Sequence, residues 1–442
     1  MTKPNKLEKS LIASFWDGVF ASCMMGFTTD YITPYALALK ATIRQIGVLS
    51  ALPNLAASLI QLKTADLTEK LKSRKKIINI FIFLHALAGI PIILLPRLFK
   101  QELQVSFLIL FITLFISLGA FAVPPWSSLM ADHIPYKSRG KFFGWRNRIL
   151  GIVTVMCSLL AGLILYIFKN NILRGFCIIF TVAAICRFIS WYFLTKMYEP
   201  RFKVKEDAYF SLLDFLSRAK ESNFAKFVIF TASLIFCVNI ASPFFSVFML
   251  RDLKFNYLTY TLLVVTVTIT QICTFNRWGM HADKVGNIKV IRLTSFFIAS
   301  LPLWWVINRH PLFLTLAQIA SGFAWAGFNL CATNFIYDAV TPQKRVRCIA
   351  FFNVFIGVAT CGGALVGGYV SNYMPELFGY KLLSLFLLSS LLRFCIVFLF
   401  SGKIKEVRTA EKISSKDLFY SVTGIKPAFG FTQSSASLKE EH

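Results

Sequence analysis

The sequence predicts an all-α membrane protein: twelve transmembrane helices in two six-helix bundles related by a parallel repeat. An apolar excess, an alternation of basic loops and a repeat at fixed spacing predict it. Of the 442 residues, 56% are hydrophobic and 15% charged. Soluble domains run at roughly 45–50% and about 25%. No single soluble core hides that much apolar surface, so lipid is the natural solvent.

A spanning helix needs about 20 apolar residues. Such runs lie near 11–33, 43–62, 77–96, 104–126, 146–168 and 172–195, then near 225–250, 257–276, 288–308, 312–336, 348–372 and 380–402. They define an N-terminal bundle (1–196), a cytoplasmic linker (197–226), a C-terminal bundle (227–402) and a tail (403–442) rich in Ser and Lys. That composition predicts a disordered tail. In the linker, Tyr209, Phe210, Leu212, Leu213 and Leu216 share one helical face among charged residues. They suit an amphipathic helix on the membrane surface; a plain connector fits nearly as well. Near the start, Phe20-Ala21-Ser22-Cys23 and Ala36-x-Ala38 resemble cleavage sites, but Asp17 interrupts the apolar run. The first run is therefore read as a retained helix.

Read alone, a net charge of +26 suggests a nucleic-acid binder. The basic residues instead recur in short clusters between apolar runs, which excludes that class. With the N-terminus inside, 35 of the 47 Lys and Arg fall in the tails and even-numbered loops and ten in the odd-numbered loops. Arg187 and Arg393 fall inside helices 6 and 12. Snorkelling to the headgroups would account for both. The asymmetry predicts a multi-pass protein of a bacterial inner membrane with both termini cytoplasmic.

The ten cysteines form no Cys-x-x-Cys pair, and the five histidines are scattered. Neither a disulfide framework nor a metal site is expected, and no cofactor. A phosphate loop and a His-Glu-x-x-His pair are both missing, so the reading is not an enzyme.

The halves match at an offset of 206 residues: Asp132 with Asp338, Arg139 with Arg345, Asn147 with Asn353, Gly151 with Gly357, and Arg187-Phe188 with Arg393-Phe394. Parallel duplication of a six-helix unit explains this. After helix 8 the chain reads Gly279-x-x-x-Asp283-Lys284-x-Gly286-Asn287. This resembles the loop signature of the major facilitator superfamily. The first-half counterpart keeps Ala65-Asp66 and Arg74-Lys75-Lys76, and departs at Leu62 and Leu67. The acid–arginine spacing of Asp132…Arg139 and Asp338…Arg345 is similar to that of sugar porters in the same superfamily. The resemblance implies alternating-access transport of a small-molecule substrate. Charge-assisted bonds of these loop residues would bias the gate, or only fix loop geometry.

The resemblance also implies that helices 1, 4, 7 and 10 line a cavity. On helix 10, Gln318, Gly322, Trp325, Asn329 and Thr333 are spaced 4, 3, 4 and 4, one face. Gln318, Trp325 and Asn329 are candidate substrate contacts, with Gln61, Trp126 and Asn239 secondary; interhelical hydrogen bonding is the alternative. On helix 1, Asp17 and Asp30 differ by about 220° around the axis. Asp17 is the first candidate for proton coupling, because an unpaired carboxylate within a span is expensive. Asp30 and the lone His85 are weaker candidates; a solvated end charge and simple packing would explain them. The expected partners are a solute, a coupling ion (H+ or Na+) and membrane lipids, with the chain a monomer. The alternatives are a multidrug or metabolite exporter, disfavoured by the lack of a proline-containing glycine motif between Ile149 and Phe168, and a sensor that no longer transports.

Overall fold

The structure is a computed structural model that describes residues 6–71, 73–134, 139–200, 222–340, 345–407 and 414–423. Among the described residues, twelve helical segments are long and apolar enough to cross a membrane. In the first half they are α1 (Lys6–Thr28), α2 (Ile43–Leu71), α3 (Arg74–Leu98), α4 (Gln101–His133), α5 (Arg139–Ile167) and α6 (Ile172–Thr195). In the second half they are α7 (Asn223–Asn239), α8 (Tyr257–Val285), α9 (Asn287–Ile307), α10 (Pro311–Ala339), α11 (Arg345–Val370) and α12 (Lys381–Phe400). A short helix, α13 (Ser415–Thr423), follows.

Several helices outrun their apolar windows. α2 continues to Leu71 and α5 begins at Arg139, because backbone hydrogen bonding continues past the edge of the hydrocarbon layer that hydropathy reports. The first helix of each half is interrupted near its far end, and proline explains both breaks. Pro243 has no N–H and its ring crowds the carbonyl four residues back, and α7 stops at that residue, Asn239. The chain resumes as Phe244–Val247 and a π turn, Phe248–Asp252. In the first half a 3₁₀ turn at Thr29–Tyr31 precedes Ile32–Ala38, which contains Pro34.

Within each half, equivalent pairs pack: α1 on α5 and α6, α3 on α4 and α6, and α9 on α10 and α12. Between the halves the main contacts are α2 with α11 and α5 with α8. Small residues make these contacts close. A Cβ on Gly47 would lie 2.7 Å from the Ala364 carbonyl oxygen, and one on Gly151 would lie 3.0 Å from Ile272 Cδ1. In the second half, Gly363 and Gly367 of α11 lie against the backbone of the α7 segment.

At the end away from the termini, neutral hydrogen bonds join the halves. The Tyr31 hydroxyl lies 2.8 Å from Thr261 Oγ1, and the Tyr260 hydroxyl donates to the Asp30 carbonyl oxygen at 2.7 Å. That carbonyl is the acceptor an N–H at position 34 would have used. Proline leaves it free for the other half. At the terminus-bearing end, α5 carries exposed Trp145, Asn147 and Arg148, and α8 carries exposed Phe275, Asn276 and Arg277.

Two expectations need correction or delimiting. The amphipathic segment around Tyr209–Leu216 lies outside the described residues. The tail expected to be disordered from Lys403 is structured where described. Leu418 and Val422 are buried in the second-half core, Phe419 stacks on Phe297, and His281 Nε2 lies 2.9 Å from Ser421 Oγ. A few apolar residues at helical spacing inside a polar stretch were enough to dock it.

Candidate functional site

Along α1, Ser10, Ala13, Ser14, Asp17 and Gly18 are all buried, a stripe of small side chains that lets α5 and α6 approach. Asp17 sits in this stripe, 6% exposed. The Ser190 hydroxyl donates to Asp17 Oδ1 at 2.7 Å, and Arg187 Nη1 donates to Ser190 Oγ at 3.0 Å. Arg187 Nε donates to His85 Nδ1 at 2.8 Å. Since arginine has only donors, that ring nitrogen is an acceptor and His85 is neutral here, with its proton on Nε2. The chain His85–Arg187–Ser190–Asp17 thus links α3, α6 and α1. Both internal arginines are buried rather than snorkelling, 8% and 3% exposed, because partners inside the bundle replace water.

The repeat supplies an internal comparison. Arg393, the mate of Arg187, donates to Ser389 Oγ (3.1 Å), the Ile298 carbonyl (2.9 Å) and the Val238 carbonyl (3.2 Å). Neutral oxygens alone hold it. The fold therefore accommodates an arginine at this position without a carboxylate, and Asp17 is an addition of the first half.

Asp30 is half-buried in the seam between the halves, not a solvated end charge; Ser158 Oγ lies 3.5 Å from its Oδ2. The proposed cavity residues do not form one cluster. Gln318 donates to the Leu263 carbonyl of α8 at 3.2 Å, and a Cβ on Gly322 would meet the Val267 carbonyl. That stretch of the α10 face packs on α8. Further along, Trp325 packs edge-on to Phe328 and Asn329 is exposed. Gln61 Oε1 accepts from Asn353 Nδ2 at 3.3 Å across the α2–α11 seam. Asn239 donates to the Ile235 carbonyl of its own helix. Trp126 lies under Arg146, whose guanidinium carbon is 4.8 Å from the ring centre.

At the terminus-bearing rim the loop residues bond to neighbours in their own half. Arg74 Nη1 pairs with Asp132 Oδ2 at 2.7 Å, and Asn287 Nδ2 donates to Asp338 Oδ2 at 2.8 Å. Asp283 is exposed and Lys284 half-buried in the last turn of α8. Gly286 has φ +85°, and a Cβ there would lie 2.5 Å from the Glu406 carboxylate, so both backbone and space require glycine. The side chains of Asp66, Arg139 and Arg345 lie outside the described set.

Sequence reasoning missed Glu199 and Glu406. Glu199 accepts from the Arg74 and Lys75 backbone N–H groups (2.7 and 3.2 Å) and from Ser73 Oγ. Glu406 accepts from the Ile288 N–H at 2.7 Å. Each caps the third helix of its half with a carboxylate from just past the sixth, where the helix dipole favours negative charge. Their mismatch with the repeat offset by one residue hid the pairing.

A family model of the Major Facilitator Superfamily matches residues 16–306 and, separately, 227–432. The chain belongs to this superfamily. It is accordingly a multi-pass membrane transporter, not an enzyme. No curated protein sequence matches it. Among solved superfamily structures, a mutant of the nucleoside transporter NupG is 17% identical with TM-score 0.68, over 91% of this chain and 100% of that one. A bacterial homolog of the human lysosomal transporter Spinster, inward-facing and unoccupied, is 13% identical with TM-score 0.66, over 93% and 100%. The D-xylose–proton symporter is 12% identical with TM-score 0.64, over 92% and 99%. Identities this low establish the shared superfamily fold and nothing finer.

Proposed function

We propose that the protein is a secondary active transporter of a small organic solute, working by alternating access and driven by protons through Asp17. The observation that carries this is the contrast between the repeat-related arginines. Arg393 is held by neutral oxygens, whereas Arg187 leads through Ser190 to a buried carboxylate. A carboxylate inside a span costs about 2.5–3.5 kcal/mol on insertion scales, and its counterpart in the second half shows that the arginine does not need it. The seal at one end and the exposed Asn-Arg pairs at the other support a conformer open toward the terminus-bearing side. The test is uptake by purified protein in proteoliposomes. Accumulation that requires a pH gradient and collapses with a protonophore supports the reading. Uptake driven equally by a sodium gradient at uniform pH would transfer coupling to Na+.

We place both termini in the cytoplasm of a bacterial inner membrane, on the strength of the basic-loop asymmetry. Cysteines introduced at Lys100 and Asn308 should label from outside, with Lys76 and Lys403 protected; the reverse pattern overturns the orientation.

Asp283 and Asp338, with Lys284, Gly286, Asp132, Arg74, Asp66, Arg139 and Arg345, act in gating on this reading. Asp283→Asn and Asp338→Asn should slow transport while leaving solute affinity within about threefold, under about 0.7 kcal/mol. A much larger affinity loss with unimpaired conformational exchange would sink the gating role.

A further inference from the structure

We infer that the transported solute is an organic anion whose carboxylate or phosphate seats on Arg146, between α1, α4 and α5. The inference rests on the transport reading above and adds the chemistry of the solute. Arg146 is 6% exposed and is held by one carbonyl, Ser14 O at 3.0 Å from Nη2, by the face of Trp126 and by the nearby charge of Asp17, toward which Trp126 Nε1 is directed. The Arg146 Nε and Ser14 Oγ, both buried, have no hydrogen-bond partner. With Arg187 drawn to the same carboxylate, two guanidiniums share one anion, and a donor is left over at Arg146. Buried donors without acceptors are costly, and a ligand carrying acceptor oxygens would satisfy them together.

Packing points the same way. A Cβ on Gly18 would lie 2.3 Å from Arg146 Nη2, so α1 has no side chain where the guanidinium reaches in. Charge agrees as well. The buried charged side chains within the described helix interiors are Asp17 against Arg146, Arg187 and Arg393. Arg187 and Arg393 have their own acceptors, and Arg146 is the least satisfied of the three. One turn toward the terminus-bearing end, past the contact of Gly151 with Ile272, α5 and α8 each present an exposed Asn-Arg pair, Asn147-Arg148 and Asn276-Arg277. A positive mouth of this kind raises the local concentration of anions.

The experiment uses full-length protein in a neutral detergent, stripped of lipid, and reads thermal stabilisation by paired probes differing in one anionic group. The pairs are glucose and glucose 6-phosphate, uridine and uridine monophosphate, and benzyl alcohol and benzoate. Stabilisation by at least one anionic member and not by its neutral partner is expected. For that probe Arg146→Gln should raise Kd at least tenfold and Arg146→Lys by less. Should Arg146→Gln fail to fold, Trp126→Phe, which deletes one donor, should raise Kd about threefold. Equal shifts by both members of every pair, no shift with any anion, or unchanged Kd in the variants would each overturn the proposal. A shift with phosphatidylglycerol and with no soluble anion would assign the site to a lipid headgroup and overturn it too. Because binding is read at equilibrium without a gradient, these failures leave proton coupling by Asp17 untouched.

Discussion

Asp17→Asn should abolish gradient-driven accumulation while leaving solute exchange within about threefold of the unmodified protein. Asparagine keeps the volume and an oxygen that can accept from Ser190, now 2.7 Å from Asp17 Oδ1, so the packing of α1 against α6 is preserved. What it loses is the ability to take up a proton on one side of the membrane and release it on the other. Each pH unit of gradient is worth about 1.4 kcal/mol per proton, a tenfold accumulation. An uncoupled variant should therefore stop at equal concentrations on both sides. The sign of the gradient reads the stoichiometry: accumulation inside with the outside more acidic means symport, and with the inside more acidic, antiport. Undiminished pH-driven accumulation by Asp17→Asn would remove the coupling role and leave Asp17 a structural hydrogen-bond partner. Arg187→Gln is the natural companion, since it keeps donors toward Ser190 but removes the charge two bonds away in the chain.

The second large effect concerns assembly rather than coupling. Gly363→Leu and Gly367→Leu should each destabilise the second half by about 3 kcal/mol or more, seen as a large fall in Tm in detergent or as failure to accumulate in the membrane. Even a Cβ at these positions would lie 2.3 Å from the Phe236 carbonyl oxygen and 2.2 Å from the Ile240 carbonyl oxygen. Those are backbone atoms, which cannot swing aside as a side chain can. In lipid, helix association depends on such close packing, since no water is released to drive it. Gly144→Ala is the control. Nothing lies within 4 Å of its Cβ position, and alanine is the better helix former by about 1 kcal/mol. Equal damage from both kinds of substitution would show that backbone crowding is not the cause.

The large-scale plan was legible in the sequence because lipid imposes it. Apolar runs, basic loops and a 206-residue offset are one-dimensional signals, and the twelve helices and their two-half grouping followed from them. Gly363 and Gly367, four apart on α11, are small residues whose spacing matches the tight contact they make with the α7 segment. The candidate site was legible only in part. Asp17 stood out because a carboxylate is rare inside a span, but its link to Arg187 and His85 runs between helices far apart in the chain. Arg146 stands at the first position of the run near 146–168, between Lys141 and Arg148 with little apolar sequence around it, where a sequence reads only a loop-end charge. Helical phase decides its fate: position 146 points toward α1 while 145, 147 and 148 point out. The face of α10 shows the converse limit. Spacing established that Gln318 and Gly322 share a side of the helix, yet not that α8 covers that side. Glu199 and Glu406 lay beyond reach, since each works on a helix start more than a hundred residues away.

Pro34 carries a consequence for how the two ends of the protein respond to their surroundings. By lacking an N–H it leaves the Asp30 carbonyl to be claimed by Tyr260, so the closure at that end is built from a backbone dipole and phenol and threonine hydroxyls. Neutral bonds of this kind are untouched by dissolved ions, whereas the charges around Arg74 and Asp132 at the opposite rim are screened within about 8 Å at physiological ionic strength. Salt thus acts on the charged rim and leaves these particular bonds alone. At this point of the seam a single imino acid has made the contact indifferent to the brine around it.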